Sequence, residues 1–318
     1  MSSMASFYHH HRRLDQILSS SQTRTFERKC DCRPGLLGRT AELAGEKDNE
    51  VVTMVCKLWV QLVQDDDVRV PFGKAHEHAR ELVEVHHALT VLTKVLVAQK
   101  ESKDVAGPCL LALASLCLRN EYCQEVVDEG GLQAILDILG DENKQAEVIT
   151  RALVLLKVLA GNDQVKTEVG RSGGLHLITA AITQFLPRAS TAEAGCAALA
   201  AVCLRQAENC AQAVTDCEGA AVITSCMRQH PKQRKVQAAS AAAIRNIVSR
   251  DKQLCPPFIE RGVEELLNSA LDLHGDHIGD TLRSALRDLE LKVELQERWT
   301  GEKIKITESF VATEGVHD

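Results

Sequence analysis

Aromatic residues make up only 3% of this 318-residue chain: six Phe, two Trp and two Tyr. β-Sandwiches and barrels fill their cores with aromatic and β-branched side chains, so that scarcity speaks against them. It leaves the apolar mass to Ala and Leu, which suit close packing of helix on helix. No run of roughly 18 apolar residues occurs, so nothing is expected to span a membrane. Charge of one sign is scarce as well. Lys and Arg number 37 against 44 Asp and Glu, and the net charge of −7 is spread along the chain. That gives no electrostatic reason to expect nucleic acid or an anionic membrane as partner. The twelve cysteines show no CxxC pairing, and no secretory signal precedes them. Most lie in apolar helical runs, such as Cys109 and Cys117 in GPCLLALASLCLRN, where free cysteine acts as a small buried hydrophobe. A reducing compartment, cytoplasm or nucleus, is therefore expected. What is plentiful, the 45% of hydrophobic residues, is enough for a continuous core.

That apolar mass repeats. CQEVVDEGGLQAILDIL, VKTEVGRSGGLHLITAAI, AQAVTDCEGAAVITSCM and CPPFIERGVEELLNSAL align on Gly131, Gly174, Gly219 and Gly262, at spacings of 43, 45 and 43 residues. A fifth copy, ARELVEVHHALTVLTKVL, stands 44 residues upstream of Gly131 with His87 in the glycine's place. A period near 43 is that of stacked helical repeats of the armadillo and HEAT kinds. Each unit shows a short helix closing at the glycine, which is expected to take the left-handed conformation. A second helix follows with apolar residues at helical spacing (Leu132, Ile135, Leu139), and then a third, as in LLALASLCL, ALVLLKVLA, CAALAAVCL and ASAAAIRNIV. The third helices are apolar nearly all round, so neighbouring units must shield them. Three helices per unit favour armadillo over HEAT.

The expected fold is an all-α, armadillo-type solenoid occupying residues 51–290. A leading third-type helix covers 51–64, and five full units follow at about 75–119, 120–161, 162–205, 206–250 and 251–290. QDDDVRVPFGK, between Gln64 and Ala75, reads as a loop. Residues 1–50 lack the period and read as a disordered or unrelated leader; its Arg and Ser also allow a mitochondrial transit peptide. Residues 291–318 form a tail.

The third helices resemble the armadillo consensus, in which Leu-x-Asn-Ile follows a run of small residues; here AIRNIVSR carries Ile244, Asn246 and Ile247. Three stretches are similar to one branch of that family beyond the generic repeat: DDDVRVPFGKAHEHARELV (65–83), LRNEYCQEVVDEGGL (118–132) and KVELQERWTG (292–301). The resemblance implies a protein-interaction role and brings no catalytic residue with it. It also implies a contrast. Nuclear-import carriers of this fold hold basic peptides with a Trp–Asn ladder. The Asn row here reads Ser115, Val158, Ala201 and Asn246, and the Trp row Leu111, Val154, Ala197 and Ala242. Cargo recognition of that type is not expected.

Other motifs have plainer readings. Gly170-Arg171-Ser172-Gly173-Gly174 matches the G-x-S-x-G of serine hydrolases, but that motif needs a strand before it, and here it fills the turn between two helices. Cys196, Cys203, Cys210 and Cys217 recur every seven residues. Two helical turns rise about 10 Å, too far for one zinc with sulfurs about 2.3 Å away, so packing is expected. His76, His78, His86 and His87, with Glu77, Glu81 and Glu84, read as a solvated helix face. Cys30 and Cys32 are a pair without a partner motif. The run KQRK (232–235) is a short basic loop that also fits a nuclear-localisation signal. Arg119, Arg205 and Arg250 share one repeat position at the end of the third helix, where each cation favours the negative helix end or forms a row facing an acidic partner.

Stacked units present their third helices on the concave face, and that face is the expected binding surface. The expected contact set is Leu111, Leu118, Arg119, Val154, Val158, Ala201, Leu204, Arg205, Arg245, Asn246 and Arg250. The rows of Leu113 and Leu116, aliphatic in every unit, are the expected core. The chain is thus read as a non-enzymatic interaction scaffold, or else as a regulatory subunit or chaperone holding a client of a larger complex. A protein partner is expected; no cofactor, metal, small-molecule substrate, nucleic acid or membrane is. The chain is expected to be a monomer.

Overall fold

The computed structural model describes residues 36–45, 48–64 and 74–293, and its elements are helices joined by short turns, with no strand among the described residues. A partial unit comes first: α1 (Leu36–Ala44) and α2 (Asn49–Leu62). Three-helix units follow. They are α3 (Ala75–Glu84), α4 (Ala88–Gln99) and α5 (Ala106–Leu116); then α6 (Asn120–Asp128), α7 (Gly131–Gly140) and α8 (Ala146–Leu159). The third unit has α9 (Asp163–Arg171), α10 (Gly174–Gln184) and α11 (Ala189–Cys203), and the fourth α12 (Ala207–Thr215), α13 (Gly219–Gln229) and α14 (Arg234–Val248). The last comprises a 3-10 turn (Lys252–Leu254), α15 (Pro256–Ile259) and α16 (Val263–Asp288). The third helices stack in chain order, α2 on α5, α5 on α8, α8 on α11, α11 on α14 and α14 on α16. This is the all-α armadillo solenoid that the period predicts.

Three details differ from the sequence reading. The boundary set at residue 50 cuts through the fold. Leu37, Ala41 and Ala44 of α1 are buried against α2, and the Trp59 indole donates to Thr40 Oγ1 at 2.9 Å. So short a helix shows too few turns for a period to be read. His9 to His11, Cys30 and Cys32, the loop over 65–73 and the tail beyond 293 lie outside the described residues.

The second difference is at the turn. Between the first and second helices the left-handed residues are His87, Gly130, Gly173, Glu218 and Gly262, with φ of 50°, 85°, 72°, 52° and 69°; Arg205 and Glu290, with φ of 61° and 62°, follow third helices instead. Only His87 and Gly262 stand where the alignment put them; Gly131, Gly174 and Gly219 instead begin the second helix. Their reason for being glycine is closeness. A Cβ on Gly131 would stand 2.6 Å from Val126 Cγ1 and 2.7 Å from the Val126 carbonyl oxygen, and one on Gly219 2.6 Å from the Ala213 carbonyl oxygen. The paired glycines at 130–131 and 173–174 divide two tasks: the first supplies φ, the second lets the helices touch.

Third, the last unit is not built like the others. Pro187 and Pro231 fall between the second and third helices of units three and four. The last unit has Gly275 there and no proline, and a lone interior glycine only weakens a helix by about 1 kcal/mol. There the two helices run on as one of 26 residues.

Candidate functional site

Side-chain burial divides the third helices into alternating rows. Leu113, Leu156, Leu199 and Ile244 are buried, as are Leu116, Leu159, Val202 and Ile247. One residue pair away, Leu111, Val154, Ala197 and Ala242 are half-buried, as are Ser115, Val158, Ala201 and Asn246. At the helix ends Leu118 is 48% and Leu204 38% exposed. Leucines at this exposure leave apolar area in water at the third-helix ends of units one and three, with Gly161 and Ser249 at the same position of units two and four.

The arginines separate into two kinds. Arg119 lies 3.4 Å from Glu84 Oε1 and 5.6 Å above the Tyr122 ring, while the Tyr122 hydroxyl donates to the same carboxylate oxygen at 2.8 Å. Arg245 pairs with Asp288 at 3.3 Å. Arg205 and Arg250 are exposed and form no ion pair among the described residues. Asn246 is less free than a ladder asparagine would be, since its amide donates to the Ala200 carbonyl at 2.8 Å and stitches α14 to α11.

Behind the exposed rows lies a set that the pattern of types concealed. At one repeat position, within the first helix in units two to four and just before α15 in the last, a side chain donates to the carbonyls that end its own unit's third helix. Cys123 reaches Val158 O at 3.7 Å, Lys166 Leu204 O at 3.3 Å, Cys210 Asn246 O at 3.5 Å and Cys255 Asp288 O at 3.8 Å. Terminal helix carbonyls lack intrahelical donors, and a buried thiol or ammonium supplies one. Spaced 43, 44 and 45 residues apart, these residues align in the repeat, but Lys among cysteines does not look like the same role. In unit one the corresponding Arg80 faces solvent beside Glu84, at 3.9 Å. A cleft of about 330 Å³ opens there between His76, Arg80, Leu118, Arg119 and Tyr122.

Cysteine packing accounts for the seven-residue ladder: Cys196 accepts from Ser240 Oγ at 3.4 Å, Cys203 donates to Asn209 O at 3.8 Å, and the single S–H of Cys210 is shared between Asn246 O and the nearer Cys203 O, at 3.1 Å. Burial pushes the Cys217 thiol up to about 11. Cys56 and Cys109 face each other at 3.7 Å between α2 and α5. Ser172 follows α9 as its cap, hydrogen-bonded to Glu168 at 3.2 Å, between two helices. The histidine stretch is not wholly solvated. His76 and His87 are exposed, but His78 is buried, its Nδ1 3.4 Å from Leu62 O, and His86 lies 3.7 Å from Glu81.

Comparison with known proteins agrees with this architecture. The family model ARMC6 matches residues 34–308. Armadillo repeat-containing protein 6 of Homo sapiens is 38% identical over 168 residues, covering 50% of this chain and 34% of the relative. The Drosophila melanogaster homolog is 35% identical over 136 residues, covering 43% and 29%. The chain thus matches about a third of the length of these relatives. Among solved structures, a designed armadillo repeat protein in complex with the peptide (KR)4 superposes with a TM-score of 0.62 at 17% identity, covering 80% of this chain and 99% of the design. A structure from a study of the interaction between cadherin and β-catenin superposes at 0.67 with 13% identity, covering 87% and 51%. Matched from residue 34, two residues before α1, to beyond the end of α16, the chain belongs to the ARMC6 family.

Proposed function

We propose that this protein is a non-enzymatic interaction scaffold that binds a segment of a partner protein along the concave face of its third helices. The observation that carries the reading is the alternation of rows: eight aliphatic positions wholly buried, and beside them apolar positions left open, ending in Leu118 and Leu204. Packing alone accounts for the first set. The second set keeps apolar area in water at repeated positions, which is what a surface awaiting a partner does. Ten described cysteines are free and buried, which suits a reducing compartment, cytoplasm or nucleus.

The test is affinity purification of the tagged chain beside a Leu118→Ser/Leu204→Ser variant, with quantitative mass spectrometry. Partners lost from a variant that melts like the unmodified chain support the reading. Identical recovery from both proteins removes it.

A further inference from the structure

We infer that Cys56 and Cys109 form a redox-active dithiol, a modification site at which a peroxide joins the partial unit covalently to the first unit. The two sulfurs stand 3.7 Å apart across the contact of α2 with α5, hydrogen-bonded to one another and wholly buried. From that contact distance, small rotations about the two Cα–Cβ bonds bring the sulfurs into bonding range. One equivalent of peroxide balances the step. One sulfur, as thiolate, attacks a peroxide oxygen and becomes a sulfenic acid, and the second sulfur then displaces the sulfenic oxygen. The S–S bond forms, two electrons pass to the peroxide, and the two thiol hydrogens leave with those of the peroxide as two waters.

Place in the stack decides when this happens. The hydrogen bond with Cys109 and burial push the Cys56 thiol up, so in the closed structure it stays protonated and unreactive. Reaction therefore waits for α2 to part from α5. Among the described residues α2 has one third-helix neighbour, whereas α5, α8, α11 and α14 each have two. A helix stacked on one side opens at lower cost than one stacked on both. The bond also has leverage there. It ties residues 53 apart in the chain, and the closed loop takes in α3 and α4. Cys203 and Cys210 also touch, through the Cys203 carbonyl, but they are seven residues apart and a bond between them closes only a short loop. Once oxidised, the partial unit is held to the array by a covalent bond and not by packing alone, and the first interface resists opening.

The experiment treats the folded full chain with hydrogen peroxide, quenches it into denaturant with an alkylating agent, and maps the products by mass spectrometry without reduction. A peptide joining Cys56 to Cys109 is expected, lighter by two hydrogens than its separate parts and parted again by dithiothreitol. Thermal melts of the oxidised chain should lie about 5–15 °C above those of the reduced chain. That difference should vanish in Cys56→Ala and in Cys109→Ala, each compared with its own reduced state so that packing lost in the variant cancels. The mapping on the unmodified chain stands without either variant. Recovery of Cys56 and Cys109 as thiols from the peroxide-treated chain overturns the inference. So does a bond between them that leaves Tm unchanged, or a shift that survives in Cys56→Ala.

Discussion

Leu116 and Leu118 are two residues apart, and truncating them should have opposite consequences. Leu116 is fully buried on α5, between the neighbouring third helices. Leu116→Ala removes its contacts and leaves a cavity that the stacked helices only partly close, a cost of about 2–5 kcal/mol. Leu118 is 48% exposed. Full burial of a leucine contributes about 1.5–3 kcal/mol, and half of that is already absent here, so Leu118→Ser should cost about 1 kcal/mol. Leu111, half-buried, should fall between them as Leu111→Ser. For a chain of this size about 2–4 °C of Tm accompanies each kcal/mol. Thermal melts followed by circular dichroism should then show Leu116→Ala lower by about 4–20 °C and Leu118→Ser by no more than about 4 °C. Equal losses for Leu116→Ala and Leu118→Ser would show that the exposed row is core, and would take the binding surface with it.

The turn offers an internal comparison. Gly131→Ala should destabilise by about 1–3 kcal/mol, because the Val126 carbonyl oxygen cannot move aside, whereas Glu218→Gly should stabilise by about 1 kcal/mol by relieving a positive φ of 52°; urea midpoints of both variants check the division of tasks. Lys166→Met keeps the stem but withdraws the donor to Leu204 O, and should cost about 1–3 kcal/mol in the same assay. Removing residues 1–47 should lower Tm measurably and red-shift the emission of Trp59, whose hydrogen-bond acceptor and cover on α1 are lost; an unchanged spectrum would place α1 outside the cooperative fold. The ammonium of Lys100, hydrogen-bonded to Asp137, holds that carboxyl below its ordinary value. Its contribution is therefore complete at neutral pH and fades as acid is added through the lowered value, below about pH 4. Lys100→Met should flatten that acid limb in a pH series of urea midpoints.

The solenoid was legible because a 43-residue period needs no knowledge of contacts: the same types return in the same order, and a lone unit cannot bury its faces. The core rows were legible for the same reason, as Leu113 and Leu116 keep their character in every unit. The turn was misread by one residue because Gly130 and Gly131 stand together, and type alone does not say which glycine bends and which one yields space. Glu218 beside Gly219 held the clue, since there the two tasks fall on different residues. The helix over 36–44 was hidden by its brevity. Of the candidate site, position was readable and partnership was not. Arg119 and Arg205 are one row in the alignment, but of the two only Arg119 forms an ion pair among the described residues, with Glu84.

The row of donors that ties each first helix to the end of its own third helix has a practical consequence. A thiol hydrogen-bonded to a carbonyl and shut away from water is inert to alkylation until its surroundings open. Cys123, Cys210 and Cys255 hold that position in the second, fourth and last units, and other buried thiols stand in the rest: Cys56 in the partial unit, Cys109 in the first, and Cys196 and Cys203 in the third. Every unit thus carries its own native chemical clock, and the order in which these sulfurs become modified would record from which end the array frays.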